Sequence, residues 1–153
     1  MSVVVNYITY VAKSVKQQPE LKKKVFSKKL LSNWRNKQGF LAENKASAFL
    51  TKQNYQILER NLRFKNHELD LIALDLKQNE YVFFEIKWRR NDFFGDGSLA
   101  VNWRKLQSMQ LVAKKWLIKQ EFKKAYRFDI ISLVGNLDNQ DLKIRHFKNV
   151  TWL

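Results

Sequence analysis

The sequence predicts an α/β sandwich built on a mixed sheet. Two observations predict it. Apolar residues alternate with polar ones from Tyr55 to Phe64, on both sides of Lys77 and Gln78, and again near the C-terminal end, as half-buried strands require. Apolar residues at helical spacing fill the stretches around 38–52 and 99–120. In chain order these read α–β–β–β–α–β–β, an order that suits helices laid on a sheet. At 153 residues, with 45% apolar and 14% aromatic content, the chain can fill one proper core.

Residues 1–38 stand apart from residues 39–153 by composition. They hold nine basic residues against Glu20 alone, so +8 of the net +15 lies in a quarter of the chain. Val4, Tyr7, Ile8, Val11 and Val15 follow helical spacing, Pro19 interrupts, and Leu21, Val25, Phe26 and Leu30 resume it. Two short helices are expected, forming a basic N-terminal extension that either grips phosphates or docks on the domain. From Gln38 to Lys52 a further helix places Leu41, Lys45, Ala48 and Phe49 near one face. Glu43 lies in its first turns, where an acid commonly serves the helix dipole alone. Tyr55 to Phe64 reads as the first strand, with Asn61 suited to bond a neighbouring loop.

The segment from Asn66 to Arg89 reads as a β-hairpin with charges on one side. A turn centred on Lys77 and Gln78 sets Asp70 opposite Glu85, and Glu68 opposite Lys87. Directly opposed side chains lie about 4.5–5.5 Å apart at Cβ, so two carboxylates converge beside an ammonium. Charges on a half-buried sheet ordinarily mark a solvated face, and cross-strand Glu–Lys pairs are common. Here the charges sit in strands that also carry Ile72, Phe83, Phe84 and Ile86, and buried charges need a partner or an ion. Paired carboxylates repel unless a cation lies between them. Hard oxygen ligands suit Mg²⁺ or Mn²⁺.

After the hairpin, NDFFGDGSLAVN carries Gly95 and Gly97 and reads as a loop. Its Phe93 and Phe94 are expected either to stack on unpaired bases or to pack back on the core. A helix from about Leu99 to Gln120 buries Leu106, Met109, Ala113, Trp116 and Leu117, and strands follow at Arg127 to Val134 and Leu142 to Phe147.

Composition narrows the function. With 29 Lys plus Arg against 14 Asp plus Glu, the chain favours polyanions, nucleic acid above a membrane surface. The absence of cysteine removes disulfides and thiolate metal sites and fits a reducing compartment, so a cytoplasmic protein is expected. No apolar run approaches a membrane span, and the start lacks the positive region of a secretory signal. His67 and His146 are the only histidines, and no glycine-rich phosphate loop or nucleophile elbow occurs. Histidine-based metal chemistry, nucleotide hydrolysis and acyl transfer therefore have no support.

Asp70, fourteen further residues, then Glu85-Ile86-Lys87 resembles the PD-(D/E)xK nuclease signature without its leading proline. The wider pattern is more specific. Gly39, Glu43, Ala46, Asn61, the ELDLIA run, VFFEIKWR, Gly95, Ala100-Val101, Lys105, Arg127-Phe128-Asp129 and IRHFKNV resemble, in that order, the YraN-like family of small bacterial proteins, over residues 39–152. The pattern departs from the family at His67 and Ala42, where the family has glycine, and in the preceding 38 residues.

The resemblance implies a restriction-endonuclease-like three-layer sandwich and a metal-dependent endonuclease acting on DNA, branched or single-stranded forms included. It assigns Mg²⁺ or Mn²⁺ to Asp70, Glu85 and the Ile86 carbonyl. Lys87 would orient the attacking water and offset transition-state charge, and Glu43 would add a further carboxylate from the helix. Glu68 would pair with Lys87, and Lys105, Arg127, Arg89 and Arg104 would contact phosphates. Resolvase relatives act as dimers because they cut two strands, so a homodimer belongs to the same expectation. The competing expectation is a non-catalytic nucleic-acid-binding module that retains the nuclease fold.

Overall fold

Alternation at period two becomes five strands in the computed structural model, which describes residues 19–91, 103–121, 123–139 and 142–150, with side chains from residue 32 onward. The elements are α1 (Pro19–Lys52), β1 (Tyr55–Phe64), β2 (His67–Asp75), β3 (Glu80–Arg89), α2 (Trp103–Lys119), β4 (Tyr126–Val134) and β5 (Lys143–Phe147). The sheet order is β1-β2-β3-β4-β5. β3 and β4 run parallel and every other neighbouring pair is antiparallel, which is the mixed α/β architecture expected. The parallel step falls where α2 supplies the crossover, as a parallel pair needs.

The chain divides into two compact units, Met1–Gln38 and Gly39–Leu153. Helix α1 contributes to both, and this differs from the separate helices expected before and after Gln38. Pro19 is its first residue, a position where the missing N–H is no loss. Gly39 lowers helix propensity by about 1 kcal/mol, which is too little to end a helix of this length. The expectations for residues 1–18 and for the loop carrying Phe93, Phe94, Gly95 and Gly97 lie outside the described residues. Among the described residues, no helix is long and apolar enough to cross a membrane.

Within the second unit each sheet face has its own core. Ala42, Ala46 and Leu50 of α1 pack with Leu71, Ala73, Val82, Phe84, Ile131 and Leu133. Leu106, Met109, Ala113, Trp116 and Leu117 of α2 pack with Leu69, Ile72, Phe83, Phe128 and Ile130 on the other face. Phe83 and Phe84, both fully buried, point to opposite faces, each contributing about 1.5–3 kcal/mol of burial. Polar ties hold α2 in place: Trp116 Nε1 donates to Glu59 Oε1 at 2.7 Å, and His67 Nδ1 lies 3.0 Å from Ser108 Oγ.

The hairpin register agrees with the expected one, although the turn is longer. Asp75 pairs with Glu80, and Leu76–Asn79 forms a four-residue loop closed by Asn79 N donating to Asp75 O at 2.8 Å. Asp75 Oδ1 accepts the Lys77 and Gln78 amides, and Asn79 takes the left-handed backbone conformation at φ 55°. The β2–β3 ladder ends at Leu71 and Phe84, one step short of Asp70 and Glu85.

Candidate functional site

Where that ladder ends, a side chain replaces a backbone partner. Asp70 Oδ2 accepts the Ile86 amide at 2.7 Å, so the carboxylate sits between β2 and β3. Glu85 stays on the central strand because its other edge is held by β4, with Ile130 as its register partner. Both carboxylates turn to the face covered by α2. From the first turn of that helix, Lys105 Nζ reaches to 2.9 Å from Glu85 Oε2 and 3.9 Å from Asp70 Oδ1.

This group is largely dry, with side-chain exposures of 17% for Asp70, 13% for Glu85 and 27% for Lys105. Burial, followed by the neighbouring Glu85 charge, pushes the Asp70 carboxyl up to about 7 against the pull of the Ile86 amide and Lys105. Burial alone would lower the Lys105 pKa, but Glu85, Asp70 and Glu68 outweigh it and the value rises. Glu85 Oε2 is buried without a hydrogen bond, although the ammonium lies within ion-pair distance. The Lys105 ammonium at 2.9 Å is thus the cation that this buried oxygen meets in the folded protein.

Glu43 approaches from α1. Its Oε2 accepts Asn61 Nδ2 at 2.7 Å and lies 3.9 Å from Arg60 Nη2, while Arg60 also donates to Asn44 Oδ1 at 2.7 Å. Asn61 adopts φ 53°, which turns its side chain toward α1 from the strand next to Asp70. Among the described residues, no three His, Cys, Asp or Glu side chains form a metal-holding group. Asp70 and Glu85 are thus brought together, and Glu43 is held beside β1 by its own partners.

Lys87 is two residues beyond Glu85 on a regular strand, half-buried and paired in register with Ser132. Glu68 lies 3.4 Å from Arg63, and the β2–β3 ladder stops before the expected Glu68–Lys87 step. Arg89 and Arg104 are exposed at the end of β3 and the start of α2. Lys105, expected at phosphate, lies beside the Asp70 and Glu85 carboxylates.

Arg127 lies inside the protein. Its guanidinium donates to Asp129 Oδ1 at 3.0 Å, to Asp75 Oδ2 at 3.0 Å, to Tyr55 Oη at 2.8 Å and to Glu80, with 10% of the side chain exposed. Asp129 also binds His146 Nε2 at 2.7 Å and the Asn149 amide at 2.8 Å. Burial, with the Asp75 charge, pushes the Tyr55 hydroxyl up to about 12 against the pull of Arg127. The RFD run and the terminal IRHFKN run therefore meet in one buried ionic network. Local patterning does not bring Asp75, Glu80, Asp129 and His146 there, although an aspartate in an apolar strand signals the need for a partner.

The fold and this site define an α/β protein carrying a buried acid–acid–lysine group where two strands part. The pattern described as "Uncharacterised protein family UPF0102" matches residues 42–133, and the chain belongs to that family. A UPF0102 protein of Caldicellulosiruptor saccharolyticus is 39% identical over 112 residues, covering 72% of this chain and 93% of its own. UPF0102 proteins of Clostridium botulinum and Caldanaerobacter subterraneus are 36% and 38% identical over 113 residues, covering 72% of this chain and 90% and 91% of theirs. This is the YraN-like family that the motifs resemble.

Proposed function

We propose that the protein hydrolyses phosphodiester bonds in DNA, on a restriction-endonuclease-like fold, with Mg²⁺ or Mn²⁺ at Asp70 and Glu85. One observation carries the reading: two largely buried carboxylates converge on a cation position now facing an ammonium. The donor set fits a hard divalent ion that keeps several waters, with two carboxylates and the Ile86 carbonyl as protein ligands. Such an ion polarises a phosphate and acidifies its bound water. Lys87 alternates onto the same side as Glu85, where its ammonium offsets charge developing on phosphate. The net charge of +15 supports a polyanionic partner. Exposed Arg89 and Arg104 are phosphate contacts in this reading, and a homodimer would match the cutting of two strands. The cysteine-free composition supports a cytoplasmic setting.

Lys105 supports a second reading. Because its ammonium already neutralises the carboxylates, the group could serve folding alone in a non-catalytic nucleic-acid-binding module. The deciding experiment incubates the full-length protein with branched, flapped and linear DNA, with and without Mg²⁺ or Mn²⁺. Ion-dependent cleavage lost in Asp70→Ala and Glu85→Ala is expected. DNA binding with no cleavage under any ion would favour the module and sink the enzyme.

A further inference from the structure

A second polar concavity lies at the hairpin end of the sheet. Asp75 lies five steps along β2 from Asp70, roughly 17 Å at strand rise, so this region is distinct from the carboxylate pair. The cavity holds about 300 Å³; Tyr55 and Asp75 form its floor, and Lys52, Lys77 and Lys148 stand on its rim beside Asn54.

Backbone contacts fix the segments that carry these lysines. Lys52 ends α1, and the Gln53 and Asn54 amides close that end on Leu50 O and Thr51 O at 2.9 and 3.3 Å. Asn54, at φ 66°, then accepts the Leu76 amide at 3.1 Å, which joins the helix end to the hairpin turn. Lys77 sits in that turn, its amide held by Asp75 Oδ1 at 3.0 Å. Lys148 lies between His146 and Asn149, both anchored on Asp129, and its Nζ is 6.0 Å from the Tyr55 ring centre. The concavity is therefore preformed by three segments tied to the Arg127 network.

Its lining carries three lysines and one carboxylate. Asp75, the acid on the floor, already receives Arg127 at 3.0 Å, two turn amides and the Tyr55 hydroxyl. Among the described residues, Lys52, Lys77 and Lys148 have no carboxylate partner. Three ammonium groups around one polar cavity repel one another, and an anion placed among them removes that cost. Lysines bind phosphate as point charges, and a phosphomonoester near neutral pH carries close to two negative charges, against one for a carboxylate. The volume is at the small end of ligand sites, enough for a phosphoryl group and its immediate attachment.

We propose that this pocket binds a phosphate group, either a free phosphate or the terminal phosphomonoester of a nucleotide strand. The site does not depend on the activity proposed above. The test is calorimetry in EDTA, with inorganic phosphate and with one oligonucleotide bearing either a 5′-phosphate or a 5′-hydroxyl, on wild type and on Lys77→Gln/Lys148→Gln. Both lysines are exposed, so the variant should melt as wild type does, and Lys148→Gln alone serves if it does not. Phosphate binding weakened at least about tenfold in the variant is the expected result, each lost charge-assisted contact being worth at least that much. A preference for the 5′-phosphorylated strand that the variant loses assigns the site to a strand end; phosphate binding without that preference assigns it to the free anion. Equal phosphate affinity in wild type and variant, or no phosphate binding by wild type, overturns the proposal.

Discussion

Replacing Lys105 with methionine tests the carboxylate group most directly. The ammonium lies 2.9 Å from Glu85 Oε2 and 3.9 Å from Asp70 Oδ1. At an effective dielectric of about 20 these separations correspond to gross attractions of about 6 and about 4 kcal/mol, most of which desolvation offsets. Removing one partner of a buried pair costs about 3–5 kcal/mol, and the 27% exposure of Lys105 argues for less, about 2–3 kcal/mol. The loss should depend on pH. Asp70 titrates near neutrality with the ammonium in place and higher without it, so at pH 6 a proton can replace the ammonium, while two charges face each other only at alkaline pH. Melting in EDTA should thus show a small loss at pH 6 that grows as pH rises into the alkaline range. Divalent ions should respond in the opposite sense, because they no longer displace a cation. A gain of about 2 kcal/mol corresponds to roughly thirtyfold tighter Mn²⁺ binding by calorimetry. Unchanged melting and unchanged Mn²⁺ affinity would refute the view that Lys105 fills the cation position.

Three other variants probe the same architecture. The raised Asp70 pKa means that the folded state holds this proton more tightly than the unfolded chain, so its stabilising contribution is full below about pH 4 and is lost as pH rises through about 7. Asp70→Asn should flatten that decline, worth up to about 4 kcal/mol for a fully buried group, in metal-free denaturation curves; a wild-type slope in the variant would count against it. Arg127→Leu leaves Asp75 and Asp129 buried without their cation and should cost about 3–5 kcal/mol, lowering Tm by roughly 10 °C. A wild-type Tm with weakened DNA binding would return Arg127 to the phosphate. Lys87→Met should cut single-turnover cleavage by more than about tenfold while Mn²⁺ affinity stays near wild type; an unchanged rate would remove this lysine from the chemistry.

Local patterning determined the order of elements, the antiparallel hairpin and its register. Period two and period 3.6 are properties of neighbouring residues, and the Asp70–Glu85 approach extends the register of the paired strands one step beyond their ladder. The family motif was also legible, because it is written in residue types and spacing. Helix α1 is longer than local patterning predicts, since a lone Gly39 weakens a helix without ending it. What only the tertiary structure decided was which distant charges meet. Lys105 reaches the carboxylates because the sheet face and the crossover helix pack together, and no spacing along the chain encodes that contact. Arg127, Asp75, Glu80 and Asp129 likewise come from three strands whose adjacency depends on the parallel β3–β4 step. A basic residue read from sequence could serve a phosphate or a buried acid equally well. Burial and distance decide between them, because a charge removed from water must find its partner inside the fold.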